Sequence, residues 1–245
     1  MNGKKGKEPD LSFIKRVEGV FFGPGPVFRS LAEKPVWVDA LVILLLLLAV
    51  FSAVVAPYSQ NDQLRMFKDN TRLKERMGEA RYTDMITRLE SASPSSAVAK
   101  GVVLGTAMGT IGLLFSSLIL FILGRFVSTQ GNYVGVLAAV IHASFIDKLL
   151  GNAVRAFLIV TRKSVMQTST SLAMLFPKIE LTSPAFVILG QIDLFQLWMF
   201  GVLAVGLSAV FKVDLRKSLF ISYGFWLLKS AIYIALGIIG MSYMK

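Results

Sequence analysis

The side chains best able to do chemistry are four ionisable residues set in apolar surroundings: His142, Asp147, Asp193 and Lys229. Lys229 interrupts the run FWLLKSAIYIALGIIG, Phe225 to Gly240. A lone charge at lipid depth costs about 2.5 to 3.5 kcal/mol on insertion scales, so it requires a partner. Two chemistries would use such a group: a buried pair that fixes how two helices register, or an ion or substrate path. The residues favour the first.

Other chemistries find little to work with. The chain has no cysteine, which excludes disulfides, thiolate metal sites and cysteine nucleophiles. With one histidine, a transition-metal site would rest on His142 plus carboxylates, an arrangement the spacing gives no reason to expect. His142 is instead read as a packed polar residue. His-Glu-x-x-His, Gly-x-Ser-x-Gly and a Gly-rich phosphate loop ending in Lys-Ser or Lys-Thr do not occur in the sequence. No catalytic residue, cofactor or metal is expected.

The elements that would carry these charges follow from composition. Of 245 residues 54% are hydrophobic, and mean hydropathy is +0.64, which places the chain in the membrane class. The net charge of +11 is divided among the segments that separate apolar runs, where basic residues meet lipid headgroups and set orientation. A nucleic-acid partner is not expected.

Five apolar spans are expected, at about 36–56, 101–124, 133–160, 185–211 and 218–240. The fold class is therefore all-α, a polytopic integral membrane protein. Residues 1–35 form a basic leader whose apolar positions Leu11, Ile14, Val17 and Phe21 recur at helical spacing, as in a helix lying in the interface. GPGP, Gly23 to Pro26, must stop that helix, and a second short one follows over Val27 to Glu33. Phe21, Phe22, Arg29, Lys34 and Trp37 are the interfacial candidates, and Pro57 is expected to close the first span.

Residues 58–100 mix eight basic with six acidic residues and read as an extramembrane helical loop with two amphipathic stretches parted at Gly78. In the second span Gly101, Gly105 and Gly109 share one face, a spacing that lets a neighbouring helix, favoured to belong to the same chain, approach closely. The third span turns polar in its second half, with Lys148, Asn152 and Arg155 facing water, headgroups or the bundle interior. Lys229 lies 12 residues beyond Lys217, about 18 Å deep, and Asp193 lies 18 residues from Phe211, about 27 Å. Asp193 is thus the first candidate partner for Lys229, and Asp147 the competing one.

At FFGPGPVFRSLAEKPVW, Phe21 to Trp37, and at QIDLFQLWMFGVLAVGLSAVFKVDLRKS, Gln191 to Ser218, the chain resembles the Yip-domain family, in particular its prokaryotic branch. The likeness lies in the order of parts: an aromatic and basic lead with a proline turn, Pro and Trp at the mouth of span one, a charged loop, Asp-Leu-Phe then Trp opening a late span, and a basic turn before the last. The resemblance implies five spans and a cytoplasmic N-terminus. Eleven basic residues in the leader, Arg125 and the Lys212 to Lys217 turn would share the cytoplasmic side, with the C-terminus opposite. Eukaryotic relatives are associated with Rab-type GTPases and vesicle traffic, a partner the short leader does not carry over, and some prokaryotic ones with ABC-type export systems. The expected role is that of a non-enzymatic scaffold or accessory subunit in the cytoplasmic membrane, with a membrane protein or a second copy as partner. The competing role is a small transporter or channel using Asp193, Lys229 and Asp147.

Overall fold

The computed structural model describes residues 11–166, 170–176, 178–181 and 183–244, so Lys4, Lys5 and Lys7 of the basic leader lie outside the described residues. The chain is 84% helical, and no strand occurs among the described residues. Five helices are long and apolar enough to cross a membrane: Val38–Asp69, Ser95–Arg125, Tyr133–Arg162, Leu194–Phe211 and Leu215–Met241. About 20 apolar residues match the hydrocarbon thickness, and a helix keeps every backbone polar group bonded within itself. The third is the most enclosed: 78% of its apolar stretch is buried, against 17% for the first, second and fifth.

The residues group into two compact units, one of 1–44, 112–146 and 198–225, the other of 45–111, 147–197 and 226–245. The first unit contains α1 (Phe13–Phe22) and α2 (Pro24–Glu33), which meet at Gly23 as the proline pair requires. Pro24 sits at the start of α2, so the second helix begins three residues earlier than the apolar pattern indicates. Both helices pack on α7 (Tyr133–Phe145), with Phe13 edge-on to Phe145 at 6.0 Å. Phe28 is fully buried and lies over Gly206 of α10 (Leu194–Phe211), where an added Cβ would meet Phe28 at 2.9 Å and Ala139 at 3.0 Å. Gly206 thus permits three elements to meet at one point.

The second unit holds most of α3 (Val38–Asp69), then α4 (Thr71–Met77), α5 (Glu79–Ser91) and the first half of α6 (Pro94–Arg125). Pro57 was expected to end the first span; it lies inside α3 instead. A proline forfeits one backbone donor, and here the polar turns beyond it gain partners that hold the helix together. Gln60 Nε2 donates to the carbonyls of Leu89 and Ala92, 3.1 Å each, and so satisfies carbonyls that the end of α5 leaves open. Tyr82 donates to the Phe67 carbonyl at 3.3 Å, and Lys68 pairs with Glu90 at 2.5 Å. Gly78, at φ +80°, parts α4 from α5 at the position the sequence indicates, and Lys74 meets Glu79 across it at 2.8 Å. That contact holds the Glu79 carboxyl below its ordinary range and the Lys74 ammonium above its own.

The glycine row of α6 faces α3. A Cβ on Gly101 would come within 3.0 Å of Ala56, one on Gly105 would strike the Ser52 hydroxyl, and one on Gly109 would lie 2.7 Å from Leu48. Helix α6, which carries the second span, starts at Pro94, and the row expected from Gly101 onward lies within it. Replacing Gly105 by Val should lower the melting point of the detergent-solubilised protein, through an overpacking cost of about 1 to 3 kcal/mol. Gly112→Ala, where nothing lies within 4 Å of the new methyl, should leave it unchanged. Equal melting points for the two variants would refute this packing.

Candidate functional site

Three irregularities in the second unit bring ionisable side chains together. The third span is not one continuous α-helix: a π-helical turn, Ile146–Gly151, joins α7 to α8 (Asn152–Arg162). In a regular helix residues eight apart are offset by about 80°, whereas a turn that absorbs one additional residue brings them within about 20°. Asp147 and Arg155 are such a pair, and the widened turn aligns them. The fourth span, expected as one helix over 185–211, breaks into α9 (Pro184–Gly190) and α10, with Gln191 to Asp193 outside either helix. Finally, the chain after α8 returns to the break, where Ser171 bridges Asp193 and the Leu172 amide donates to the Ile192 carbonyl at 2.8 Å.

Arg155 lies at the centre. Nη2 donates to Asp147 Oδ1 at 2.7 Å and to Asp193 Oδ2 at 3.0 Å. Nη1 donates to Asn152 Oδ1 at 2.9 Å and faces the Asp147 carbonyl at 3.4 Å, while Nε donates to Thr170 Oγ1 at 3.0 Å. The five guanidinium protons therefore have acceptors. The Thr170 hydroxyl in turn donates to Asp193 Oδ2 at 2.5 Å. Asp193 Oδ1 accepts from the amides of Phe195 and Gln196 at 2.9 and 3.1 Å, which caps α10 and places negative charge at its positive end. Asp147 Oδ2 takes Lys148 at 2.7 Å. Two carboxylates and two cations leave these four groups neutral, and the side chains of Asp147, Asp193 and Arg155 are only 4%, 6% and 16% exposed.

The partners differ from those the sequence indicates. Asp193, the first candidate for Lys229, is held by Arg155 and Thr170, and Asp147, the second, by Arg155 and Lys148. Lys229 Nζ donates instead to Gln196 Oε1 at 2.6 Å, three residues beyond Asp193. A planar five-donor group bonds two carboxylates better than a compact ammonium, which accounts for the exchange of partners. Arg155 faces the interior, one of the environments open to it on the sequence. Its partner Thr170 carries no sequence signal.

His142 is in the first unit, fully buried, with Nδ1 2.8 Å from the Ala138 carbonyl and no hydrogen-bond partner for Nε2 among the described residues. Two further contacts of acids have no counterpart in the sequence reading. Arg16, 6% exposed, pairs with Asp39 and donates to the Leu11 carbonyl at 3.0 Å. Asp62, 4% exposed, accepts from the Ser164 hydroxyl and the Val165 and Met166 amides at 2.9, 2.6 and 3.3 Å. Of the interfacial candidates, Phe22 is 88% exposed, Arg29 and Lys34 are exposed, Trp37 is half-buried, and Phe21 packs edge-on to Trp198 at 5.9 Å. No group of three or more His, Asp or Glu side chains able to hold a metal occurs among the described residues.

A helical chain with five apolar spans defines a polytopic integral membrane protein. The chain belongs to the Yip1 domain family, whose domain matches residues 19–238. No curated protein and no solved structure matches it.

Removing Arg155 as Met would leave buried Asp193 with no counter-charge and Asp147 with Lys148 alone, at a cost of about 3 to 5 kcal/mol. Folded yield and melting point should fall sharply in Arg155→Met and recover in large part when Asp147→Asn and Asp193→Asn are added. Arg155→Lys should be nearly as harmful as Met, since an ammonium cannot hold both acids and Thr170. Strictly additive losses across the set would count against the clamp.

Proposed function

We propose that this Yip1-family protein is a non-catalytic membrane scaffold or accessory subunit serving a trafficking or export system. The observation that carries the proposal is the saturation of Arg155: each guanidinium proton is accepted within the chain, and both buried carboxylates are neutralised in place. A path for ions needs ligating groups with free capacity, and a fixed clamp supplies rigidity instead.

What remains available to a partner is of two kinds. Helices α3, α6 and α11 (Leu215–Met244) leave most of their apolar surface uncovered, as Val103, Leu104, Met108 and Ile111 of α6 illustrate. The α4–α5 segment carries charges of both signs, and no residue of α5 is buried. Lipid covers the apolar faces by default, and another membrane protein, an ABC-type exporter or a second copy would displace it there. The charged helices suit a soluble or peripheral contact.

The setting proposed is a prokaryotic cytoplasmic membrane with the N-terminus cytoplasmic and the C-terminus opposite. An odd number of spans and the basic residues of the leader, Arg125 and the Lys212 to Lys217 turn support that orientation. Within the leader, α1 and α2 would lie at the membrane surface with Phe22 toward lipid.

Gentle extraction after cross-linking should recover one membrane protein in stoichiometric amount, and charge reversal on α5, such as Arg81→Glu with Arg88→Glu, should weaken its recovery. Solute or ion flux through liposomes containing this chain alone would overturn the proposal in favour of a transporter.

A further inference from the structure

The segment between α8 and α10 carries apolar side chains that no other described residue covers fully. Met174, Leu175 and Phe176 are 43%, 66% and 50% exposed, and Ile188 and Leu194 are 45% and 67% exposed. On a water-facing loop such a patch would be unfavourable, and its position says what covers it.

The chain first reaches a polar level and then turns back from it. At the end of α8, Lys163 takes φ +55° and stops the helix, and Ser164 to Met166 are held by Asp62, which stands among Gln60, Asn61, Gln63 and Arg65 in the polar end of α3. Thr170 nevertheless contacts the Arg155 side chain. From Arg155 to its last residue, Arg162, α8 rises about 10 Å, so Thr170 lies back along the helix from its end. It arrives beside Asp193, whose neighbour Gln196 holds Lys229 inside the last span.

The outward path also runs along a span. Val187 of α9 packs on Gly237 of α11, where an added Cβ would lie 2.8 Å from its Cγ1, and the exposed Leu236 and Ile239 continue the apolar surface. Between the two apolar pieces stand Lys178 and Glu180, both exposed. Non-helical backbone inside a bilayer must find its own hydrogen-bond partners. Here the amides of Leu172, Met174, Phe176 and Ile179 donate to Ile192, Ser171, Ala173 and Phe176, and those of Ser183, Gln191 and Ile192 to Glu180, Ile188 and Leu189.

We propose that residues 170–176 and 183–193 form a re-entrant element whose apolar side chains contact lipid acyl chains, with Lys178 and Glu180 marking its return to the headgroups. The lipid is selected over a protein partner because α9 packs both on residues 172–175 and, through Val187, on Gly237 of α11, a helix long and apolar enough to span the membrane.

The absence of native cysteine allows a direct test. Single variants Met174→Cys, Leu175→Cys and Phe176→Cys would carry a nitroxide in vesicles of phosphatidylcholine and phosphatidylglycerol. Collision rates with oxygen and with a water-soluble nickel chelate would then be compared. Leu236→Cys serves as the lipid standard and Arg88→Cys as the aqueous one. The three sites should give oxygen-to-chelate ratios close to that of Leu236→Cys and several-fold above that of Arg88→Cys, with Lys178→Cys between them. Ratios at the aqueous standard would overturn the proposal. So would protection from both reagents, which would mean that protein covers the patch. Agreement of any two sites decides the outcome should one variant fail to fold.

Discussion

Charge inside an apolar medium must be cancelled where it stands, and in this chain the Arg155 guanidinium does most of that work. It bonds the side chains of Asp147, Asn152, Thr170 and Asp193, which come from four places in the sequence. Several departures from regular helix serve those bonds. The π-turn at Ile146–Gly151 sets Asp147 and Arg155 on one face, and the break before α10 frees the Asp193 carboxylate to cap a helix while accepting from Arg155 and Thr170. Irregular backbone at such a depth is tolerated only where its polar groups are bonded, and here the side-chain network and the bridge between Ser171 and Asp193 meet that condition together.

The helices themselves answer a different constraint. Between apolar helices in lipid there is little hydrophobic drive, so close approach must supply the attraction. Gly101, Gly105 and Gly109 let α6 settle on Leu48, Ser52 and Ala56, and Gly206 admits the Phe28 ring. Where apolar sequence ends, helices continue only if tertiary contacts hold them. This explains how α3 passes Pro57: Gln60, Lys68 and the Phe67 carbonyl each meet a partner on α5 or at its end.

The five spans were legible because their signal is additive: some twenty apolar residues in a row suffice, whatever surrounds them. The glycine face, the stop at Gly23 and the parting at Gly78 were legible for the same reason, since each depends on residues a few positions apart. Helix ends were less so, because Pro57 and the start of α6 depend on contacts made elsewhere. The charge partners were legible only in kind. Lys229 bonds Gln196, three residues from Asp193, and not Asp193 itself. What reassigned Asp193 was an arginine on another span, aligned by a π-turn that has no sequence signature, and a threonine from a loop. Arg16 with Asp39 and Asp62 with the Ser164 turn were missed because acids near span ends look like ordinary interfacial residues.

A buried ionic cluster is seldom an efficient source of stability, since apolar side chains of like volume often do as well. Its distinguishing property is geometric. A saturated arginine fixes the angles and spacing of the groups around it, and any relative shift of α8 against the start of α10 must break several charge-assisted bonds at once. The same bonds hold Thr170 and Ser171 at the α9–α10 break, so the lipid-facing residues 174–176 are anchored to the clamp through only a few intervening positions. A protein that presents a constant surface to the membrane and to partners gains from that rigidity, whereas one that alternates between open states would need the network to come apart and re-form in each cycle. Under the function proposed above, the charges at depth fasten a surface rather than mark stations on a path.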